Sequence, residues 1–410
     1  MSKIHRVGRT AVVLIIIVAI GAVFAFRLSK WSPDYHADVD NVIIIVVDTL
    51  RNDRLGFNGY HLNTSPNLDA LAARSVVFEE VYTARSNTYP SFTTILTGLH
   101  FVNHRVHENY DPWPDGVRSL TSVFRDNGYD TYCHMAAGFM KAENGFGQGV
   151  DTYTIPEGGG NWYDAETMVQ TAMEHLDGAE QPVWMMIHIW DTHGPYTPYE
   201  EAMGLMGVPL EYDNPEIDGS YAMCDRYNAY EGSFSAEDVQ RVSDLYDCEI
   251  RQMDLAMGDF FTYLENNGWF DNSIVVFTAD HGEAMGEDHK FGHGHDSEEQ
   301  LHIPLMMHFP HDRGAGLRIG GLVDNMDIAP TLLDACHLEG WQVDGRTLIS
   351  RIMDPVTPGR PILLSSDTHM NFSLWDGKWR RSVDQEIEVT QHELTPAERE
   401  ALRSLGYLGN

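Results

Sequence analysis

The sequence predicts an α/β protein with a mostly parallel central sheet flanked by helices and a smaller α+β subdomain at the C-terminal end. Three features carry that expectation: four largely apolar runs of strand length, helical patterns between them, and acidic or histidine residues where the runs end. The runs are NVIIIVVD, closing on Asp48, DTYCHMA at 130–136, PVWMMIHIW at 182–190 and SIVVFTA at 273–279. A strand covered on both faces shows continuous hydrophobicity instead of alternation, which is the signature of a parallel sheet packed between helices.

Between the strands, Thr64 and Ser65 are cap candidates ahead of Pro66, and LDALAARS continues a helix from there. A longer helix is predicted from Ser235, where S-A-E-D forms a capping-box pattern with Asp in the last place. Val239, Val242, Tyr246, Met253, Met257, Phe260 and Leu264 recur at helical spacing until Asn267 and Gly268 stop it. The stretch 196–235 is rich in Pro, Gly, Tyr and acids, and reads as an inserted loop or lid. Beyond 304 the apolar runs shorten and Gly, Pro and Asp punctuate them, so 41–304 is expected as the main domain and 305–410 as the C-terminal subdomain and tail.

Lys3, Arg6 and Arg9 precede the apolar run AVVLIIIVAIGAVFAF at 11–26, and Arg27 closes it. A full span takes about 20 residues, but Thr10 and Leu28 lengthen the run and no A-x-A site follows it. Residues 1–28 are therefore expected to be an uncleaved membrane anchor with its basic end in the cytoplasm. A 29–40 linker would lead to a folded part on the periplasmic or extracellular side; a cleaved signal is the alternative. Four cysteines without C-x-x-C spacing are compatible with a Cys224–Cys248 bridge or with free buried thiols. The net charge of −34, from 61 acidic against 27 basic residues, excludes nucleic acid as a partner. A small anionic substrate would have to be drawn in by a local metal or histidine cluster. Oligomeric state is not legible.

Asp48 ends one buried strand and Asp280-His281 another, and if those strands are neighbours the three side chains form a metal site of mixed oxygen and nitrogen donors. Capping acids on a strand-to-helix turn are the competing explanation of D-H-G-E. His281, His289, His293 and His295 crowd into fifteen residues, and Asp191 and His193 follow a third strand. In SNTYPSFTTILTG at 86–98, Pro90 starts a helix and Thr88 lies just before its first turn, where unpaired amides favour an anion. A hydroxyl there is either an N-cap or, beside a metal, a nucleophile. His104 and the mid-strand His188 read as core residues.

These motifs, in this order, resemble the sulfatase family of the alkaline phosphatase superfamily. VIIIVVDTLRNDRLGFNGY at 42–60, TSPNLDALAARSVVFEEVYT at 64–83 and TYPSFTTILTG at 88–98 are similar to the family's opening strand, following helix and nucleophile segment. HIWDTHGPY at 188–196, WFDNSIVVFTADHGE at 269–283, FGHGH at 291–295 and DIAPTLLD at 327–334 follow as they do in the family. The resemblance implies an alkaline-phosphatase-like sheet, metal-binding roles for Asp48, Thr88, Asp280 and His281, a nucleophile at Thr88, and substrate contact or proton donation by His193 and His293.

Three departures from the family pattern shape the expected chemistry. Thr49 stands where many sulfatases have a second metal-binding Asp, and His281 where they have Asn, which favours Zn²⁺ or Mn²⁺ while leaving Ca²⁺ open. Phe92 replaces the usual Arg. Thr88 replaces the Cys or Ser that is oxidised to formylglycine, and its methyl group blocks that aldehyde. The expectation is thus a metal-dependent hydrolase of phosphate, phosphonate or sulfate esters with a covalent Thr88 intermediate and phosphoester chemistry ahead of sulfate. A membrane-bound phosphoethanolamine- or phosphoglycerol-type transferase and a non-catalytic sulfatase-like binding protein are the alternatives.

Overall fold

The computed structural model describes residues 39–158, 161–179, 182–367, 372–375 and 380–383. The expected anchor at 1–28 and the expected 29–40 linker, save its last two residues, lie outside the described residues. Among the described residues no helix is long and apolar enough to cross a membrane.

All four apolar runs form central strands: Asn41–Val47, Asp130–His134, Val183–Ile189 and Ser273–Ala279. They belong to an eight-stranded sheet whose spatial order is Leu317–Ile319, Val76–Phe78, Leu305–His308, Ser273–Ala279, Asn41–Val47, Val183–Ile189, Asp130–His134, Thr152–Thr154. Pairing is parallel throughout except at Leu305–His308, which runs antiparallel to both neighbours. The Asn41–Val47, Val183–Ile189 and Ser273–Ala279 strands are buried at every position, as their unbroken apolarity requires.

The long helix spans Ala236–Asn266 and opens on the predicted box, with Ser235 and Asp238 capping each other reciprocally. Gly268 leaves it in the left-handed region at φ 76°. The Pro66–Ala73 helix has Pro in its first turn, yet Ser65 does not cap it. Its first amides are taken by the buried Asp254 carboxylate of the long helix, at 3.1 Å from Asn67 N and 2.9 Å from Leu68 N, which ties the two helices together.

Two expectations need correction. The boundary at 304/305 cuts through the sheet, because Leu305–His308 and Leu317–Ile319 are both members of it. A four-residue antiparallel strand lacks the long apolar run of its parallel neighbours, so its sequence resembles a small appended unit. A separate antiparallel sheet does follow, made of Leu363–Ser366, Phe372–Trp375 and Arg380–Val383. The 196–235 segment is not all loop. It contains helices Glu200–Met206 and Tyr221–Asn228, the latter capped by Ser220, and its Pro, Gly and acidic content marks the joints between them. All four cysteines are free.

Candidate active site

Parallel pairing of Asn41–Val47 with Ser273–Ala279 sets Val47 opposite Ala279, so the residues that follow, Asp48 and Asp280, leave the sheet side by side. Ligands collect beyond the carboxyl ends of the strands of such sheets. His281 Nε2 lies 3.4 Å from Asp280 Oδ2 and 3.7 Å from Asp48 Oδ1. All three side chains are fully buried, and Asp48 Oδ1, Asp280 Oδ2 and His281 Nε2 are each without a hydrogen-bond partner.

The rest of each side chain is spoken for, which fixes its direction. Asp280 Oδ1 accepts the Thr49 and His281 amides at 3.2 and 2.7 Å. His281 Nδ1 is 3.0 Å from the Gly282 carbonyl, so Nδ1 carries the proton and Nε2 presents its lone pair to the carboxylates. Thr49, a β-branched residue held at φ 55°, is strained, and the Tyr246 hydroxyl donating to its carbonyl at 2.7 Å helps to fix it. Burial raises the Asp48 carboxyl to about 7 and pushes Asp280 well above the ordinary range, with Asp48 adding to the effect on Asp280. Three converging donors, two of them buried carboxylates whose ligand atoms have no hydrogen-bond partner, fit a divalent cation, since buried carboxylate charge is otherwise costly.

Thr88 is the first residue of a helix, Thr88–Thr97, that is buried along its whole length. Its hydroxyl is 3.5 Å from Asp48 Oδ2 and caps nothing; Asn87 occupies the cap position. The helix is moored by Ser91, which donates to the Asp280 carbonyl at 2.6 Å and accepts from Asn325 at 2.9 Å.

Two histidines close the other side. His293 Nδ1 is 2.9 Å from Glu283 Oε1, and its ring centroid lies 4.5 Å from that of His281 and 5.1 Å from that of His193. Burial works against charge on His293, but Glu283, Asp48 and Asp280 together raise it to about 9. His193 stacks on Trp190 at 3.8 Å with Nδ1 2.8 Å from the Gly194 carbonyl. Burial, followed by His293, holds it well below the usual histidine range, so it is neutral.

The structure therefore brings Asp48, Thr88, Asp280, His281, His193 and His293 into one cluster. It also adds residues that sequence reasoning missed. His188, read as core, is buried with Nε2 3.1 Å from Asp48 Oδ2. Glu283, given no role from the sequence, holds His293. Tyr221, from the 196–235 segment, donates its hydroxyl to Gly194 O and lies 3.2 Å from His193 Nδ1. Asp191, also at a strand end, turns away to accept from Ala165 N and Gln252 at 2.6 and 2.9 Å. His289 is sandwiched between Tyr227 and Tyr230. His104 is satisfied in the core by Thr94 and the Val106 amide. Phe92 is buried with its ring 5.0 Å from His188, an apolar wall where the resemblance expects a guanidinium.

The family model described as Sulfatase matches residues 40–338, a stretch that contains every member of the cluster. The chain belongs to the sulfatase family. It is 25% identical over 82% of its length to the "Multifunctional alkaline phosphatase superfamily protein PehA" of Trinickia caryophylli, covering 80% of that protein. It is 24% identical over 73% of its length to an arylsulfatase of Clostridium perfringens strain 13, covering 75% of that relative. Among solved structures, the phosphonate monoester hydrolase of Agrobacterium radiobacter superposes with a TM-score of 0.69 at 20% identity, over 84% of this chain and 87% of that one. The protein is thus a metal-dependent sulfatase-family hydrolase with the α/β fold of these enzymes.

Proposed function

We propose that this sulfatase-family enzyme hydrolyses small phosphate or phosphonate esters in preference to sulfates, through a covalent intermediate on Thr88. The carrying observation is the Thr88 hydroxyl at the start of a buried helix, 3.5 Å from Asp48 and beside three unsatisfied ligand atoms. A cation held by Asp48, Asp280, His281 and Thr88 would lower the hydroxyl pKa and neutralise the non-bridging oxygens of the substrate.

Thr88 Oγ1, its proton lost to solvent before the ester binds, would attack phosphorus in line with the leaving oxygen, forming one P–O bond as the other breaks, and it departs as the same oxyanion when water opens the intermediate. His293 supplies the proton that the leaving oxygen takes up, because its Nδ1 is engaged by Glu283 and its Nε2 carries a transferable proton. The neutral, stacked His193 orients the ester. Water then attacks the phosphothreonine and gives its proton to His293, the P–O bond to Thr88 breaks, and the resting enzyme returns.

The preference for phosphorus rests on the methyl group of Thr88. A formylglycine hydrate releases sulfate by eliminating it from carbon, and threonine cannot form that hydrate. The covalent ester on Thr88 must instead be opened by water at the esterified centre, as phosphothreonine is. A panel of aryl sulfates, phosphate monoesters, phosphate diesters and phosphonate monoesters, assayed on the metal-reconstituted enzyme, tests this. Phosphonates or phosphoesters should give the highest kcat/KM. Aryl sulfates outperforming all of them would reverse the substrate assignment and leave the family and metal site standing.

A further inference from the structure

The His293 side chain reaches the cluster from an awkward loop. Ala284–Met285 and Phe291–Gly292 form a two-stranded antiparallel ribbon, and His293 follows directly. Between 286 and 294 the backbone is left-handed at Gly286, Asp288, His289, Gly292 and Gly294, with φ of 108°, 49°, 57°, 99° and 100°. For Asp288 and His289 this conformation is strained, and such strain persists only where surrounding contacts over-determine it.

Those contacts come largely from the inserted segment. At the end of the Tyr221–Asn228 helix, the Asn228 side chain accepts from Phe291 N at 2.7 Å and donates to Phe291 O at 2.8 Å. One side-chain amide thus pairs both backbone polar groups of the buried Phe291, as a third strand of the ribbon would. Beside it, the His289 ring is stacked between Tyr227 at 4.0 Å and Tyr230 at 3.8 Å, and Tyr227 also packs on Phe291 at 4.6 Å. On the opposite side of the loop, Glu287 accepts from Arg51 at 2.8 Å and from the Met285 amide at 2.6 Å.

We infer that Asn228 is a positioning residue for His293, and that the 227–230 corner of the insertion sets the proton donor of the reaction rather than merely covering the site. The inference rests on the role given to His293 under the proposed function. Asn228 acts through the backbone: it fixes Phe291, two residues before His293, and the Phe291–Gly292 strand leads into His293, whose Nδ1 meets Glu283.

Removal of Asn228 should therefore injure proton donation while sparing the nucleophile and the metal. Asn228→Ala, His293→Ala and the double variant are compared on two phosphonate or phosphodiester substrates, one with a p-nitrophenyl leaving group and one with an alkyl leaving group. A nitrophenolate needs little protonation, so its kcat should fall only a few-fold, whereas the alkyl ester should lose at least tenfold at unchanged metal content. The double variant should be no slower on the alkyl ester than His293→Ala alone. Tyr230 is 75% exposed, so Tyr230→Ala can be read even if Asn228→Ala does not fold, and it should show the same leaving-group bias at smaller size.

Equal losses on both substrates, or losses that multiply in the double variant, would overturn the positioning role and leave His293 as donor. A normal leaving-group dependence in His293→Ala would overturn the donor assignment and this inference with it.

Discussion

Asp48→Asn removes a carboxyl that burial raises from 3.8 to about 7, at nearly constant shape. An acid with a higher pKa in the folded chain binds its proton more tightly when folded. Its contribution is therefore most favourable below 3.8 and is lost progressively as pH climbs to about 7. That displacement corresponds to about 4 kcal/mol once both states are ionised. The neighbouring Asp280 carboxyl is also raised, with Asp48 contributing to its shift, so this figure is a ceiling. A chain of 410 residues unfolding with roughly 2 cal/mol/K per residue loses about 1 °C of Tm for each ~0.9 kcal/mol. Metal-free Asp48→Asn should then melt higher than the metal-free parent by up to about 5 °C near pH 8, and by less than half as much near pH 5. A cation narrows the gap near pH 8: at about 100-fold excess over its Kd it adds ~2.7 kcal/mol to the parent and less to the variant. Scanning calorimetry after chelation, with and without added Zn²⁺ or Mn²⁺, reads all of this. A gap between parent and variant that does not change with pH would refute the claim that burial penalises the ionised Asp48 carboxylate.

His188→Leu should weaken metal binding by roughly 10- to 100-fold, because its Nε2 orients Asp48 from 3.1 Å; dialysis against a metal buffer measures the affinity, and an unchanged Kd would make His188 a packing residue. After chelation, Zn²⁺ or Mn²⁺ should restore more activity than Ca²⁺, since an imidazole nitrogen joins the carboxylate oxygens. Full recovery on Ca²⁺ alone would contradict that ligand set.

The legible part of this protein is the part that local chemistry dictates. Strands buried on both faces reveal themselves as apolar runs, and their ends carry Asp48 and Asp280-His281 in plain view. The Ser235–Asp238 box is likewise written in four consecutive residues. What escaped depends on which strands are neighbours. His188 sits opposite Val46 in the parallel pair, and alternate residues of a strand share a face, so His188 and Asp48 point to the same side. With the sheet order in hand, parity finds His188; with the sequence alone, its apolar flanks make it a core residue. Glu283 and Asn228 act on a loop whose path is set by left-handed residues, and no periodicity announces such a path. Ser65 shows the reverse case: a good local cap candidate displaced by a tertiary one, the Asp254 carboxylate.

The central claim is that Thr88 carries the substrate's phosphoryl or phosphonyl group during turnover. Rapid acid quench of the metal-loaded enzyme with its best phosphonate or phosphoester substrate, followed by peptide mass spectrometry, tests it most directly. A transient phosphoryl or phosphonyl adduct on Thr88, absent from Thr88→Ala at equal metal content, is the predicted result, with Thr88→Ala slowed by at least about a thousandfold. Turnover by Thr88→Ala at the parent's rate, with no adduct on the parent's Thr88, would contradict it.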